Sequence, residues 1–328
     1  LRATIRGLQL TATRFESELI VVDDGSEIPI ILDDTLRNVV VIRKETSIGV
    51  SRARRAGCAV ASGDVLIVMD AHLSFDPSWL SYLLPAIDDE SIYCCACWDY
   101  ALTTPRFWGA EFLWDPERSR GFAFIPSRRC PPAPVSAIPM ILGACYAISA
   151  KAYERLGGFS PLYRVWGYDE QDLSLRAHIG GLQVNCVRDA KVGHLDVRTQ
   201  NWALPPENLS FNSHVLLETV LERSTRKIIE RAMPAPRPQV RRWLNEAEIC
   251  DWREVVQASR QQSDADVLSK ILPEGPLVFH PQPALRPGIS DYGERRAVIA
   301  AEERRLKLPP VKAARAWASS QWRCLGVN

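Results

Sequence analysis

The sequence predicts an α/β protein with a Rossmann-like, mostly parallel sheet and a mainly helical C-terminal region. Three observations lead to this prediction. In the first part of the chain, short apolar runs typical of buried strands alternate with segments of helical spacing. Two of these runs end in acidic residues, at the carboxyl ends of strands where α/β proteins bind ligands. After about residue 200 the strand pattern stops and amphipathic helical segments follow.

The individual elements follow from this alternation. Strand-like runs occupy residues 18–22, 39–42, 65–69 and 92–98. Helix-like segments occupy residues 1–10, 51–62 and 77–87. An α/β domain normally opens with a strand, whereas this sequence opens with a helix-like segment. We therefore expect the opening strand of the sheet to be missing from the sequence.

Beyond residue 100 the pattern changes. Residues 102–137 are rich in proline, arginine and aromatic residues, and we expect a long irregular surface loop there. Residues 216–232 predict an amphipathic helix, and a proline-rich linker over 233–238 follows it. We therefore predict one domain over residues 1–232 and a helical region of unknown role over 233–328.

The composition argues against nucleic-acid and membrane partners. The 328 residues include 40 Lys and Arg against 39 Asp and Glu, a net charge of +1. This balance gives no electrostatic basis for binding nucleic acid or an anionic membrane. No apolar run reaches the roughly 20 residues that span a bilayer, so we expect no transmembrane segment. We recognise no signal peptide at the start of the sequence.

The cysteines indicate a reducing environment. The nine cysteines are an odd number, and none has the spacing of a zinc site. Cys94, Cys95 and Cys97 stand within an apolar, strand-like run. Such thiols are typically buried and reduced. The pattern predicts a cytoplasmic protein.

Two separated segments carry residues that suit a divalent metal ion. Asp70 and His72 are two positions apart, directly after a predicted strand, so one loop can turn both toward one ion. His194 is a candidate for the third ligand. Mixed carboxylate and imidazole ligands suit manganese better than calcium, and such an ion can offset the charge of a diphosphate leaving group. A lone Asp-X-His sequence, however, is more often a capped turn.

An acidic cluster lies downstream, where Asp169, Glu170 and Asp172 follow the aromatic residues Trp166 and Tyr168. The glycine between the aromatics allows a tight loop. We expect the three carboxylates to fall in the first turn of the next helix, where the helix dipole favours them. They could be dipole partners and nothing else. Alternatively, one deprotonates an acceptor hydroxyl and another binds hydroxyls of a sugar, and the aromatic pair favours this interpretation.

Asp23 and Asp24 also stand at the end of a predicted strand, in an Asp-Asp-Gly-Ser sequence. This composition is typical of a β-turn, which is the simpler interpretation. A carboxylate at this edge of the sheet can also accept a hydrogen bond from the N–H of a uracil ring or from a ribose hydroxyl.

In this order and spacing, the motifs resemble GT-A glycosyltransferases of the family 2 type, and more narrowly the catalytic domain of polypeptide N-acetylgalactosaminyltransferases. The resemblance covers residues from about 16 to 200. It is carried by the arginine-rich helix that leads into Asp-Ala-His, by a Pro-Met-Ile-x-Gly segment, by a Trp-Gly-Tyr-Asp-Glu loop and by Val-Gly-His. These segments are residues 49–54, 70–72, 139–143, 166–170 and 192–194.

The resemblance implies a UDP-sugar donor, with N-acetylhexosamine as the candidate sugar, and a Mn2+ or Mg2+ ion. It implies transfer to a hydroxyl of a protein, peptide or saccharide acceptor. By position, the metal ligands would be Asp70, His72 and His194. The nucleotide-sugar contacts would be Asp23, Asp24, Arg54, Asp70, Gly143, Trp166 and Tyr168.

The chain departs from the family pattern at two positions of the site. Ser47 stands in place of a nucleotide-contacting arginine, and Glu170 in place of an asparagine. Many inverting GT-A enzymes carry an acidic pair here, whose second member is the base. We therefore predict Glu170 as the general base, Asp169 as the donor-sugar ligand, and inversion at the anomeric carbon. The Asp-X-His metal motif instead favours the retaining relatives.

Two other function classes stay open. A catalytically inactive nucleotide-sugar-binding module would fit Ser47, although intact metal ligands and acidic residues argue against loss of activity. A nucleotidyltransferase on a similar sheet would need a Gly-rich phosphate loop with Lys or Arg near its start, and we find no such sequence.

Overall fold

The computed structural model describes residues 1–32, 36, 38–115, 121–195 and 205–272. Within these residues the strands are β1 Leu19–Asp24, β2 Val39–Lys44, β3 Val65–Met69, β4 Leu73–Phe75, β5 Ser91–Asp99, β6 Pro105–Phe107, β7 Ala110–Asp115, β8 Gly121–Pro126, β9 Val135–Ala137, β10 Cys145–Ser149 and β11 Gln183–His194. The helices are α1 Arg2–Thr11, α2 Val50–Cys58, α3 Trp79–Leu83, α4 Ala150–Arg155, α5 Asp169–Ile179, α6 Pro206–Val220, α7 Arg223–Ala232, α8 Pro238–Glu246, α9 Ile249–Ala258 and α10 Asp264–Ile271. The predicted C-terminal region beyond residue 272 lies outside the described residues.

The α/β class is confirmed, but the main sheet is mixed, and the expectation of a mostly parallel sheet is wrong. The strand order is β3-β10-β5-β11-β4, with β6 beside β5 and β9 beside β11. Within the described part of the chain, β5 and β11 are the one parallel pair of this sheet, and β10 runs antiparallel to both of its neighbours. β1 and β2 form a separate parallel pair. The alternation of strand-like and helix-like segments along the sequence could not show that a later strand, β10, inserts antiparallel between β3 and β5.

The region expected to be an irregular surface loop is instead largely folded. It contains β6, β7, β8 and β9, and β7 pairs with β8 as an antiparallel hairpin. Phe112 and Phe122 are buried on this hairpin, with ring centroids 6.0 Å apart. The prolines and arginines suggested a loop, but the segment also contains short stretches of alternating apolar residues, which are sufficient to form strands. The amphipathic helix predicted over residues 216–232 is also interrupted, because α6 ends at Val220 and α7 begins at Arg223.

The main sheet is buried on both faces. Along β5, Ile92 and Cys94 pack in one apolar cluster, and Tyr93, Cys95 and Cys97 pack in the other. This alternation follows from the two-residue repeat of a strand. The first cluster includes residues of α4 and α5, and the second includes residues of α3. Helices on both faces explain why this strand reads as a continuous apolar run.

The helices after α5 pack onto the sheet region. The described residues form one compact unit, so α6 to α10 belong to the same unit as the sheets. The indole of Trp252 in α9 lies 5.6 Å from the guanidinium carbon of Arg55 and 5.3 Å from that of Arg176. Such cation–π contacts join α9 to α2 and α5. Among the described helices, none has the length and apolar character that a bilayer crossing requires.

Candidate functional site

Asp70, His72 and His194 converge at one end of the main sheet. Asp70 follows β3 directly, His72 precedes β4, and His194 is the last residue of β11. His194 pairs with Leu73 in the antiparallel ladder of β4 and β11, and this pairing brings it beside the Asp-Ala-His segment. Sheet register therefore places the third residue of the cluster, which is far away in sequence.

The geometry of these three side chains fits a divalent metal ion. The Nε2 atoms of His72 and His194 lie 3.0 Å apart, and His194 Nε2 lies 3.3 Å from Asp70 Oδ2. One ligand atom of each residue lies within 4.8 Å of the other two. Two imidazole nitrogens and one carboxylate oxygen form a donor set suited to manganese or a similar transition ion. The residues present therefore fit the ion that the family resemblance implies.

Arg54 of α2 connects this cluster to the acidic pair. Its Nη1 donates to the carboxylates of Asp169 and Glu170, at 2.6 Å from Glu170 Oε1. Its Nη2 lies 3.4 Å from Asp70 Oδ1. The guanidinium carbon lies 5.6 Å from the ring centroid of Tyr146, and the Arg54 side chain is largely buried. One cation therefore faces three carboxyl groups, and it cannot balance all of them.

This imbalance appears in the pKa values of the carboxyl groups. Burial raises the pKa of Asp169 to about 8, the adjacent Glu170 charge adds to the rise, and Arg54 offsets only part of it. For Asp70, burial also acts to raise the pKa, but the hydrogen bond with His194 and the charge of Arg54 outweigh it and hold the pKa below its ordinary value. The site thus contains one carboxyl that holds its proton near neutral pH and one that stays ionised.

Asp169 and Glu170 differ in access to solvent. Both lie in the first turn of α5, as predicted. The Asp169 side chain is 1% exposed and that of Glu170 is 12% exposed. Gly143 leaves room for Glu170, because a Cβ at Gly143 would lie only 2.9 Å from Glu170 Cδ. Glu170 is therefore the more accessible carboxylate of the pair.

The two aromatic residues of the acidic loop have different surroundings. Trp166 is 39% exposed, whereas Tyr168 is 3% exposed. Tyr168 is the N-cap residue of α5 and has a φ of 75°. Trp166 can therefore present its indole to a ligand, while the ring of Tyr168 packs inside the protein.

Asp23 and Asp24 hold the surrounding turns together. Asp23 is buried and accepts from the backbone N–H groups of Ser26 and Ile30 and from Arg43, at 2.6 Å. These bonds outweigh the effect of burial and lower the pKa of Asp23 to about 2.

Both oxygens of Asp24 are also used. They accept from the N–H groups of Ile48 and Gly49 and from the Ser47 hydroxyl, at 2.7 to 3.0 Å. Asp23 therefore organises the turn that the Asp-Asp-Gly-Ser sequence suggested, and Asp24 organises the entrance to α2. Their contact with a nucleotide stays a prediction.

Comparison with known proteins supports the motif resemblance. Residues 1–157 match the family described as glycosyl transferase family 2, and residues 131–196 match the family described as N-terminal domain of galactosyltransferase. Polypeptide N-acetylgalactosaminyltransferase 5 of Caenorhabditis elegans is 29% identical over 224 residues, which cover 60% of this chain and 34% of that protein. An inactive polypeptide N-acetylgalactosaminyltransferase-like protein 5 of Macaca fascicularis is 28% identical over 215 residues, which cover 57% of this chain and 46% of that protein. The chain spans less than half the length of these two relatives.

A solved structure shows the same fold. The crystal structure of GalNAc-T7 with UDP, GalNAc and Mn2+ matches 81% of this chain and 53% of its own chain, with 20% sequence identity and a TM-score of 0.64. The chain has the GT-A fold. The predicted resemblance to family 2 glycosyltransferases and to the polypeptide N-acetylgalactosaminyltransferases is thereby confirmed.

Two residues of this GT-A site were not predicted from sequence. Tyr146 lies in β10, beneath Arg54, where its apolar surroundings looked like those of any core strand. Asn212 is fully buried in α6 and bonds to the loop that carries the acidic pair. No local signal marks Asn212, because α6 also carries polar residues at 207, 208, 210, 213, 214, 218 and 219.

Proposed function

We propose that this chain transfers a sugar from a UDP-sugar to a hydroxyl of a protein, peptide or saccharide acceptor, in a manganese-dependent reaction. One observation carries the proposal. The cluster of Asp70, His72 and His194 shares Arg54 with the acidic pair Asp169 and Glu170. Groups suited to a diphosphate and groups suited to sugar hydroxyls thus lie in one site. The names of the relatives and the ligands of the similar solved structure support the same chemistry.

The roles of the side chains follow from their chemistry. Asp70, His72 and His194 would hold the ion, which when bound offsets negative charge on the leaving diphosphate. Glu170, the more accessible member of the acidic pair, accepts the proton of the acceptor hydroxyl. Asp169, whose raised pKa keeps it protonated near neutral pH, has a side chain that is 1% exposed, so its proposed hydrogen bond to a hydroxyl of the donor sugar requires the side chain to become accessible when the donor binds. With Glu170 as the base, the reaction inverts the anomeric configuration.

A second candidate is an inactive module that binds a nucleotide sugar without turnover. It is favoured by the contact of Arg54 with both Asp169 and Glu170, because the proposed base would have to leave this contact to reach an acceptor hydroxyl. It is favoured also by the relative that is named inactive. Both candidates require the metal cluster, and they differ in turnover.

The test combines binding with turnover. UDP binding is measured by calorimetry with and without Mn2+, and a panel of UDP-sugars is then screened for released UDP. We expect Mn2+-dependent UDP binding and slow release of UDP from one donor. His194→Ala should abolish the Mn2+ dependence of UDP binding while circular dichroism shows an intact fold.

The outcomes separate the two candidates. Mn2+-dependent binding without release from any donor, also in the presence of peptide and saccharide acceptors, would favour the inactive module. Equally tight, Mn2+-dependent UDP binding in His194→Ala would show that the metal assignment is wrong.

A further inference from the structure

The loop that precedes the acidic pair has an unusual backbone. Val165, Gly167 and Tyr168 have φ values of 53°, 94° and 75°. Glycine adopts this left-handed region freely, but a β-branched residue such as valine is an outlier there. Backbone conformations of this kind persist only when the surroundings hold them, and they cluster at functional sites. The structure must therefore contain groups that hold residues 165–168 in place.

Asn212 of α6 is the main such group. Its Oδ1 accepts from the backbone N–H of Arg164 at 2.8 Å. The two hydrogens of its Nδ2 are shared among the backbone carbonyls of Arg164, Trp166 and Gly167, at 2.9, 3.3 and 3.0 Å, so at least one of these bonds is bifurcated. The side chain is fully buried, with 0% of the residue exposed. One amide group thus binds three of the four residues that lead to Tyr168 and the acidic pair.

The chemistry of this contact suits the carboxamide group of an asparagine. The loop offers one N–H donor and three carbonyl acceptors to the same side chain, so the partner must accept at one atom and donate at another. An aspartate of the same shape would place a buried negative charge against three carbonyl oxygens. An apolar residue would leave these backbone groups without partners, which is costly in a buried position.

Neighbouring contacts hold the same loop from two sides. On the α2 side, the N–H of Val50 donates to the carbonyl of Val165 at 2.8 Å. On the α6 side, the side chain of Leu209 leaves no room for a Cβ at Gly167. The guanidinium of Arg164 lies over the ring of Trp243 in α8, with Cζ 4.2 Å from the centroid. Among these contacts, Asn212 is the side chain that bonds directly to the left-handed segment.

We propose that Asn212 is a positioning residue that sets the placement of Asp169 and Glu170 by holding residues 164–167. Tyr168 caps α5, and the acidic pair occupies the first turn of that helix. A change in the loop therefore moves both carboxylates relative to Arg54. The inference rests on the proposed sugar transfer, and it gives α6 a role at the site.

The first test compares two variants of α6. Asn212→Ala removes the four loop contacts. Thr219→Ala, the matched control, removes one buried hydrogen bond on the same helix, from Thr219 to the carbonyl of Val215 at 2.8 Å, and does not touch the loop. In Asn212→Ala we expect kcat for UDP release to fall by roughly 10²-fold, as for a catalytic group misplaced by about 1 Å. UDP affinity with Mn2+ should stay close to wild type in both variants, and kcat should fall only in Asn212→Ala.

A second variant separates positioning from general loss of stability. Residue 165 is exposed, and Val165→Gly removes the conformational strain of its left-handed backbone. Added to Asn212→Ala, it should restore part of the lost kcat. A helix that is merely destabilised would not be rescued by a change in the loop. Loss of kcat to the same extent in Thr219→Ala, or no rescue by Val165→Gly, would overturn the proposal.

Hydrogen exchange distinguishes a failure of this proposal from a failure of the proposed function. If the wild type releases no UDP from any donor, the proposed transfer is wrong, but the loop can still be measured. The backbone amide of Arg164 should then exchange faster in Asn212→Ala than in the wild type, and its exchange rate should be unchanged in Thr219→Ala. Unchanged exchange at Arg164 in Asn212→Ala would show that Asn212 does not hold the loop.

Discussion

Gly143→Ala tests whether the exact placement of Glu170 matters for turnover. A Cβ at this position would lie 2.9 Å from Glu170 Cδ, whereas carbon atoms in contact lie about 3.5–4.0 Å apart. The carboxylate must therefore move by roughly 0.6–1.1 Å. The clash falls on the end of a flexible side chain, so we expect Glu170 to rotate and the fold to remain. Its 2.6 Å bond with Arg54 would then lengthen or break.

The expected kinetic effect follows from this displacement. A misplacement of about 1 Å costs roughly 10²-fold in rate, which corresponds to about 2.7 kcal/mol of transition-state stabilisation. The assay is UDP release from the donor found in the screen, together with calorimetric UDP binding in Mn2+. We expect turnover to fall on this scale and UDP affinity to change little. Gly63→Ala is the control, because the nearest atom to a Cβ there, the carbonyl oxygen of Val65, is at an ordinary 3.6 Å.

A double variant tests whether Gly143→Ala acts through Glu170. In Glu170→Gln the base is absent while the shape remains, so adding Gly143→Ala should cost little further turnover. If Gly143→Ala alone leaves turnover unchanged while Glu170→Gln lowers it strongly, the placement of Glu170 in the absence of ligands is not the reactive one. If the two effects multiply fully, Gly143 acts through another group.

The remaining predictions concern the acidic pair. Glu170→Gln should lower turnover by about 10²–10⁴-fold, the usual contribution of a general base, with UDP affinity nearly unchanged, and NMR of the product should show inversion. Retention of configuration with near-normal turnover would make Glu170 a structural residue. The folded-state pKa of Asp169 is raised to about 8. Between about pH 4 and about pH 8, the folded protein therefore binds more protons than the unfolded chain, so the free energy of unfolding falls as the pH rises through this range. Urea unfolding of metal-free Asp169→Asn should lack this slope, and equal slopes in variant and wild type would contradict the raised pKa.

The sequence alone determined the α/β class, the early strands and the residues of the candidate site. The apolar runs that became β1, β2, β3 and β5 are continuous and bounded by polar residues, and local pattern is sufficient to identify such strands. The Asp-X-His segment, the acidic loop and Val-Gly-His were recognisable because the proposed metal binding and proton transfer admit few residue types. Asp70, His72 and His194 do converge.

The tertiary structure decided what depends on contacts between distant segments. The reversed placement of β10 between β3 and β5 is set by packing of both sheet faces, which no local pattern encodes. The family resemblance predicted Arg54 as a nucleotide-sugar contact, but only folding brings it within reach of Asp70, Asp169 and Glu170 at once. The raised pKa of Asp169 arises in the same way, because it depends on burial and on neighbouring charges rather than on residue type. Asn212 gains its contacts only when α6 packs against the loop, since its four bonds cross more than forty residues of sequence.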